Sequence, residues 1–487
     1  MDKILNSKPL KYISLIAAVV LIGYYLNLYI QTIFVLDYMP HRSDPITYFL
    51  DYKAYWETGK FYSPFIMDEN ISKAFIEVGL HGPMYEFFYG TICQIFGYHD
   101  KMILIVNLFV FIAVITLTYM NKGLNLLSKN LLVIFNLTYF IHLWSSFNFT
   151  PEYLHVFFAH MIGFALIKIK SENRSKNVLY MAMWILIAAT FRYSWVLASF
   201  SLLAFVENKK DFYKTILIVS AITFFGFAYL KLLHADYFHQ VIGPMVIEFK
   251  QGDIGAGLQI VLDNLSATIP MFFFTYFYSL GYFATKWYII IAVIILGYLG
   301  YKTNNRIAIA SALICLAYLL SLFLFFDAYD TRDLRGIGGS MIIATIVLLS
   351  QSQSWSKIPV IAVCIIYLLV MPETIKGFEY FTYDECKASG QIINNYNFNA
   401  FAQLKARSPE MITILFPEKM IWVATPGRPV QSIKDILHTP ALKFPLKNFE
   451  GVPLRYTFNH EGLDTYLRHN KIRIDYLVTP NGQIVPA

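Results

Sequence analysis

The chain has 487 residues, a net charge of +7 and a mean hydropathy of +0.50; it is 57% apolar, 17% aromatic and only 15% charged. Globular chains are about 45–50% apolar and about 25% charged, so composition argues against a soluble enzyme and for a polytopic membrane protein. The basic residues lie in short links between apolar runs rather than on one soluble face, which argues against a nucleic-acid partner and suits topology setting.

Lys3, Lys8 and Lys11 precede an apolar run that reaches about Leu36. It is too long for a signal-peptide core and lacks a small-residue cleavage site, so it reads as an uncleaved anchor. Further spans are expected at 102–120, 131–146, 153–169, 178–190, 192–206, 214–232, 286–301, 307–326, 337–351 and 358–371, after a first at 12–35. That makes about 11, several of them short of the ~20 residues a helix needs to cross the hydrocarbon core. The pair 178–190 and 192–206 also fits one bent span or a re-entrant pair. Lys122 with Lys129, Lys168 to Lys176, Lys209 to Lys214, and Lys302 with Arg306 share one side with the N-terminal lysines, which the positive-inside rule makes cytoplasmic.

The first loop on the opposite side, 36–101, is unusually long for a connection. Within it Asp44, Tyr48, Asp51 and Tyr55 follow at steps of four, three and four, so one helical face would hold two carboxylates and two tyrosines. A carboxylate partly desolvated by aromatics at a membrane surface can accept a proton from a hydroxyl; the competing reading is a solvated acidic helix resting on the bilayer. His81-Gly82-Pro83-Met84 closes the loop, and Gly-Pro before a helix is ordinary punctuation. His81 draws interest because the loop must return there to the same membrane face.

Glu152 follows Thr150-Pro151 at the start of the fourth span. The same three residues make a normal helix start, with cap, first-turn proline and an acid on the dipole. Arg192 lies between two short apolar spans, where a charge is costly and tends to be functional. Arg332 and Arg335, in the stretch from Asp327 to Gly336, break the topology rule on the outer side. Their planar donor forks suit phosphate oxygens, and pairing with Asp327, Asp330 and Asp333 is the alternative.

The segment 233–285 carries an aromatic run, 271–282, that suits the membrane surface. From about Pro372 the composition becomes that of a soluble domain, with β-type runs at 411–416, 420–424 and 472–478 and helical patterns near 384–404 and 461–468. The expected class is therefore a polytopic α-helical membrane protein with a small C-terminal α/β extracytoplasmic domain. Its division is a transmembrane module over 1–371 and a soluble domain over 372–487. Cys93, Cys315, Cys364 and Cys386 show no CxxC or metal-type spacing. No phosphate loop, dinucleotide fingerprint, HExxH, GxSxG or DxD occurs, which removes the usual support for ATP-driven, zinc-hydrolase and nucleotide-sugar readings.

Asp44 with Tyr48 four residues on and Gly59 fifteen on, then Gly82-Pro83-Met84-Tyr85 before the second span, resembles the GT-C glycosyltransferases, polytopic enzymes that use polyprenyl- or dolichyl-phosphate sugars. Pro45 replaces the second acid common in that family, which leaves the role of Asp51 open. Glu152 resembles the acid of the family's second outer loop, and Arg335 the arginine before a late span. The resemblance implies inverting transfer of one sugar from a polyprenyl-phosphate donor to a glycan or glycolipid acceptor of the cell envelope, such as O-antigen, lipid A of lipopolysaccharide, or a wall polymer. It implies Asp44 as the base that deprotonates or orients the acceptor hydroxyl, Glu152 as a second catalytic carboxylate, and Arg335 with Arg332 at the donor phosphate; Arg192 is a further phosphate candidate by its position. Asp51, Tyr48, Tyr55 and His81 would line the substrate site, with no cofactor beyond a divalent metal that some relatives need. The location implied is a bacterial inner membrane, with the site and the C-terminal domain outside the cytoplasm. A lipid or polysaccharide transporter or flippase is the competing class; it predicts inverted repeats and midplane charges, and no repeat is visible.

Overall fold

The computed structural model describes residues 7–35, 43–59, 61, 65–67, 82–99, 101–147, 150–169, 174–233, 241–274, 280–325 and 333–379, and beyond these only six short strands. The helices are α1 Lys8–Ile30, α2 Ser43–Thr58, α3 Pro83–Phe96, α4 Met102–Met120, α5 Leu126–Thr138, α6 Phe140–Phe147, α7 Glu152–Lys168 and α8 Arg174–Phe191. After a 3-10 helix at Tyr193–Phe205 come α9 Lys209–Leu233, α10 Ile242–Gln251, α11 Ile254–Phe274, α12 Leu280–Thr303, α13 Arg306–Phe325, α14 Asp333–Ser350 and α15 Ile358–Glu379. Helix α1 starts at a Ser7 cap with proline in its first turn. At its other end Lys101 Nζ donates to the Thr32 and Ile33 carbonyls at 3.0 Å.

Multiple long apolar helices make this a multi-pass membrane protein, but the expected count of about 11 spans is corrected. Among the described residues six helices are long and apolar enough to cross: Lys8–Phe34, Met102–Met120, Lys209–Tyr229, Leu280–Thr303, Arg306–Leu324 and Ser354–Lys376. Of the remaining apolar runs, those of α5, α7 and α14 are largely surrounded by protein, whereas α8 and the 3-10 helix are buried on part of their surface. Helix α7 is buried along most of its length and packs on α14, which is buried from Ile337 to Leu349. At Gly163 the two helices approach so closely that a Cβ would lie 2.6 Å from Ile346 Cδ1. A helix hydrophobic all round is a buried helix or a membrane span, and hydropathy alone does not separate the two.

The expected run 131–146 is broken at Tyr139 into α5 and α6. The break frees backbone carbonyls, which the bilayer does not satisfy. Tyr25 Oη donates to the Leu137 carbonyl at 2.6 Å, and His142 Nδ1 meets the Asn136 carbonyl at 3.2 Å. The expected run 192–206 is the 3-10 helix of 13 residues. At about 2.0 Å per residue it reaches roughly 26 Å, far beyond the three or four residues usual for this geometry.

The C-terminal α/β domain is also corrected. Beyond Glu379 the described residues form strands and no helix, and the expected helices at 384–404 and 461–468 lie outside the described residues. The strands are β2 Ile412–Phe416, β3 Ala424–Thr425, β4 Arg428–Pro429, β5 Leu454–Phe458, β6 Tyr476–Val478 and β7 Ile484–Pro486. Their five-stranded sheet takes β1, Phe65–Met67, from the first loop, in the order β1-β5-β2-β6-β7. Strands β1 and β6 pair in parallel with β5 and β2, and β7 closes the far edge antiparallel. The sheet is therefore shared between the tail and the loop that follows α2.

Candidate functional site

The polar side chains gather where α7 begins and α8 ends. Glu152, the first residue of α7, is 7% exposed and forms an ion pair and hydrogen bond with Arg192, the residue between α8 and the 3-10 helix. Burial works against the Arg192 charge, and the neighbouring carboxylate outweighs it, holding the guanidinium well above its ordinary range.

One turn into α7, His155 holds two partners. Trp195 Nε1 donates to its Nδ1 at 3.0 Å, and Tyr85 Oη lies 2.8 Å from its Nε2. An indole N–H only donates, so Nδ1 must be the bare nitrogen and the ring proton sits on Nε2. Nε2 then donates to the Tyr85 oxygen, leaving the phenol O–H to donate onward. Tyr85 stands in the first turn of α3, behind Gly82, whose φ of +74° suits glycine and whose successor Pro83 opens the helix. The Gly-Pro element thus serves to set the entry of α3. Glu86, 1% exposed, is in the same turn.

Helix α2 joins through Tyr48, whose ring meets Tyr85 edge-on at 5.2 Å. Ser43, Asp44 and Pro45 form its first turn, so Asp44 lies one turn before Tyr48 on the same helix; its side chain is not described. Asp51 is 3% exposed, on the same helical face. Tyr55 packs elsewhere, on Phe61 at 4.9 Å, Phe87 at 6.0 Å and the backbone of α3 at Gly90. His81 and Arg332 lie outside the described residues.

Helix α14 approaches from the other side. A Cβ on Gly339 would stand 2.7 Å from Trp195 Cη2, so only glycine permits this contact. Arg335 occupies the first turn of α14, one turn before Gly339, and its side chain is not described. Asp44 and Arg335 are thus each one turn, about 6 Å of helix, from residues that touch the Tyr85–His155–Trp195 chain.

Sequence reasoning named Glu152 and Arg192 and missed their pairing, and it gave no role to His155 or Trp195. A signal existed: Glu152 and His155 are three residues apart on one face of α7, and Trp195 follows Arg192 by three residues at the start of the 3-10 helix. Among the described residues no three His, Cys, Asp or Glu side chains are gathered as a metal site. The described cluster offers instead an anion-compatible guanidinium held by a buried acid, and a directed phenol donor.

No protein-family model and no curated protein matches the chain. Solved structures do. The oligosaccharyltransferase of Archaeoglobus fulgidus in complex with Zn and sulfate is 11% identical, with a TM-score of 0.50 over 95% of this chain and 67% of that one. Its apo form gives 10% identity and a TM-score of 0.51 over 98% and 70%. ArnT from Cupriavidus metallidurans bound to undecaprenyl phosphate is 11% identical, with a TM-score of 0.47 over 94% and 88%. At such identities the likeness to the archaeal structures shows the fold.

Proposed function

We propose, from the premise that the chain has a GT-C-type membrane fold, that it transfers a sugar from a polyprenyl-phosphate-linked donor to a glycan or lipid acceptor of the cell envelope. The observation that carries the reading is the joining of Glu152–Arg192 and Tyr85–His155–Trp195 at one end of the bundle, next to the helices that bear Asp44 and Arg335. An archaeal fold relative that is an oligosaccharyltransferase supports sugar transfer as the class of chemistry.

In this reading the Asp44 carboxylate takes the proton of the acceptor hydroxyl. The hydroxyl oxygen attacks the anomeric carbon from the face opposite the phosphate, the bond between that carbon and the phosphate oxygen breaks, and configuration inverts. The electron pair stays on the departing polyprenyl phosphate. Arg335, with Arg332 and Arg192, offsets that charge in a site where water is scarce. Glu152 fixes Arg192 in place, and Tyr85, its oxygen already engaged by His155, turns its O–H toward substrate oxygens. Asp51, Tyr48, Tyr55 and His81 would shape the acceptor side, and the reacting end would face away from the cytoplasm of a bacterial cell.

The test is transfer from a radiolabelled polyprenyl-phosphate sugar by membranes that contain the protein. Asp44→Asn should lower the rate about 10²–10⁴-fold, the usual worth of a general base, with thermal stability unchanged. Near-normal transfer by that variant, or a wild-type protein that moves the labelled lipid with its sugar–phosphate bond intact, would overturn the proposal; the second result would favour a flippase.

A further inference from the structure

At the opposite end of the bundle, one length of α7 away or about 26 Å, the ends of α7, the 3-10 helix, α12 and α14 border a cavity of about 430 Å³ that is open to the surface. Its wall includes Arg174 at the start of α8, Phe205 at the end of the 3-10 helix, Asn304 and Arg306 between α12 and α13, and Gln353 beyond α14. Among the described residues that line it there is no carboxylate. Glu207 stands outside the lining and ties the two guanidinium groups together, as an ion pair with Arg174 and at 2.9 Å from Arg306 Nη1. Arg174 also donates to the Phe205 carbonyl. The hydrogen bond and charge of Arg174 hold the Glu207 carboxyl below its ordinary range.

Among the described residues, the two guanidinium groups against the one Glu207 carboxylate leave a net positive charge of about one, and those bonds use a minority of the N–H donors that arginine carries. The tie also sets both forks before a substrate arrives, so little rotamer entropy remains to be lost on binding. Gln353 and Asn304 add neutral hydrogen-bonding groups, while Phe205 and Ile307 add apolar wall. Asn304 takes a φ of +47°, the sole positive value of a non-glycine among the described residues, so the α12–α13 reversal is held in a conformation most side chains avoid. The cavity sits at the helix ends that carry the lysine-rich links, where phospholipid headgroups lie.

We infer that this cavity is a second binding site, specific for a phosphate group, at the end of the bundle opposite the transfer site. The phosphate belongs either to the headgroup of an anionic membrane lipid or to a free phosphate species. Its oxygens accept from Arg174 and Arg306, and Gln353 closes the polar rim. The inference does not depend on sugar transfer.

The test uses the full-length protein in mild detergent. Its thermal stability is followed against added short-chain phosphatidylglycerol, inorganic phosphate, and short-chain phosphatidylcholine as the zwitterionic control. Stabilisation by phosphatidylglycerol but not inorganic phosphate identifies a lipid headgroup; stabilisation by both identifies the phosphate itself. Either result upholds the site if Arg306→Gln weakens the half-saturating concentration roughly tenfold or more, the worth of one charged hydrogen bond. Gln353→Glu, which puts an acid in the wall and leaves the Arg174–Glu207–Arg306 tie intact, should remove the effect and serves if Arg306→Gln does not fold. No stabilisation by either anion, or equal stabilisation of wild type and Gln353→Glu, would overturn the inference.

Discussion

Arg192 and Glu152 are separated by 40 residues and meet at one point, with the carboxylate almost free of solvent and the guanidinium side chain 27% exposed. Desolvation offsets much of what such a pair gains, but breaking it is costly, because removal of one partner strands a charge with little water. Arg192→Gln should therefore lower stability by about 3 kcal/mol, and the double variant Glu152→Gln with Arg192→Gln should recover most of that loss. Thermal unfolding of the four proteins in detergent measures the coupling; additive effects would mean that the two side chains do not interact. At this scale the sequence was partly legible. A charge inside an apolar stretch stands out by itself, so Glu152 and Arg192 were found. Their partnership was not, because it depends on the antiparallel packing of α7 with α8. His155 was hidden for a similar reason: a histidine in an apolar run gains its meaning from Trp195 and Tyr85, which come from two other elements.

At the scale of elements, the contact of α14 with the 3-10 helix carries the most information. Gly339 lets the Trp195 ring lie against the α14 backbone, and the ring is also tethered to His155. A methyl group there must push the indole aside, which breaks the hydrogen bond that fixes the His155 tautomer. Gly339→Ala should cost about 1–3 kcal/mol, the range for overpacking a filled site, and reduce transfer well beyond that shown by Gly338→Ala. At Gly338 the added atom meets the Tyr139 ring at the looser distance of 3.2 Å. Parallel unfolding and transfer assays on the two variants check this, and equal effects would count against a special role for the Trp195 contact. The apolar runs were legible as elements, yet not as spans. Helices α5, α7 and α14 are as apolar as membrane helices because neighbouring helices, not lipid, surround them. The break at Tyr139 was invisible for a further reason: no glycine or proline marks it, and the freed carbonyls are satisfied by Tyr25, from a helix over a hundred residues earlier, and by His142.

For the whole molecule, the helix bundle has two chemically distinct ends. One holds the acid–guanidinium pair and the start of the helices that bear Asp44 and Arg335; the other holds the arginine-lined cavity. The grouping of the basic links at one end was readable from charge, since Arg174, Arg306 and the reversals around them do meet there. The sheet was only half readable. Runs at 411–416 and 472–478 hold strands β2 and β6, but the β1 strand comes from the first loop, nearly 400 residues away from its partner β5, and no local pattern announces a pairing so remote. The functional reading stands on convergence: the first turns of α2 and α14 must open on the same pocket. Cysteines at Asp44 and Arg335, treated in membranes with a short bifunctional maleimide, test that most directly, with Asp44 and Arg306 as the control pair. A cross-link within the first pair and none within the control is the expected result. Failure of the first pair to cross-link, with each cysteine still labelled singly, would contradict the account.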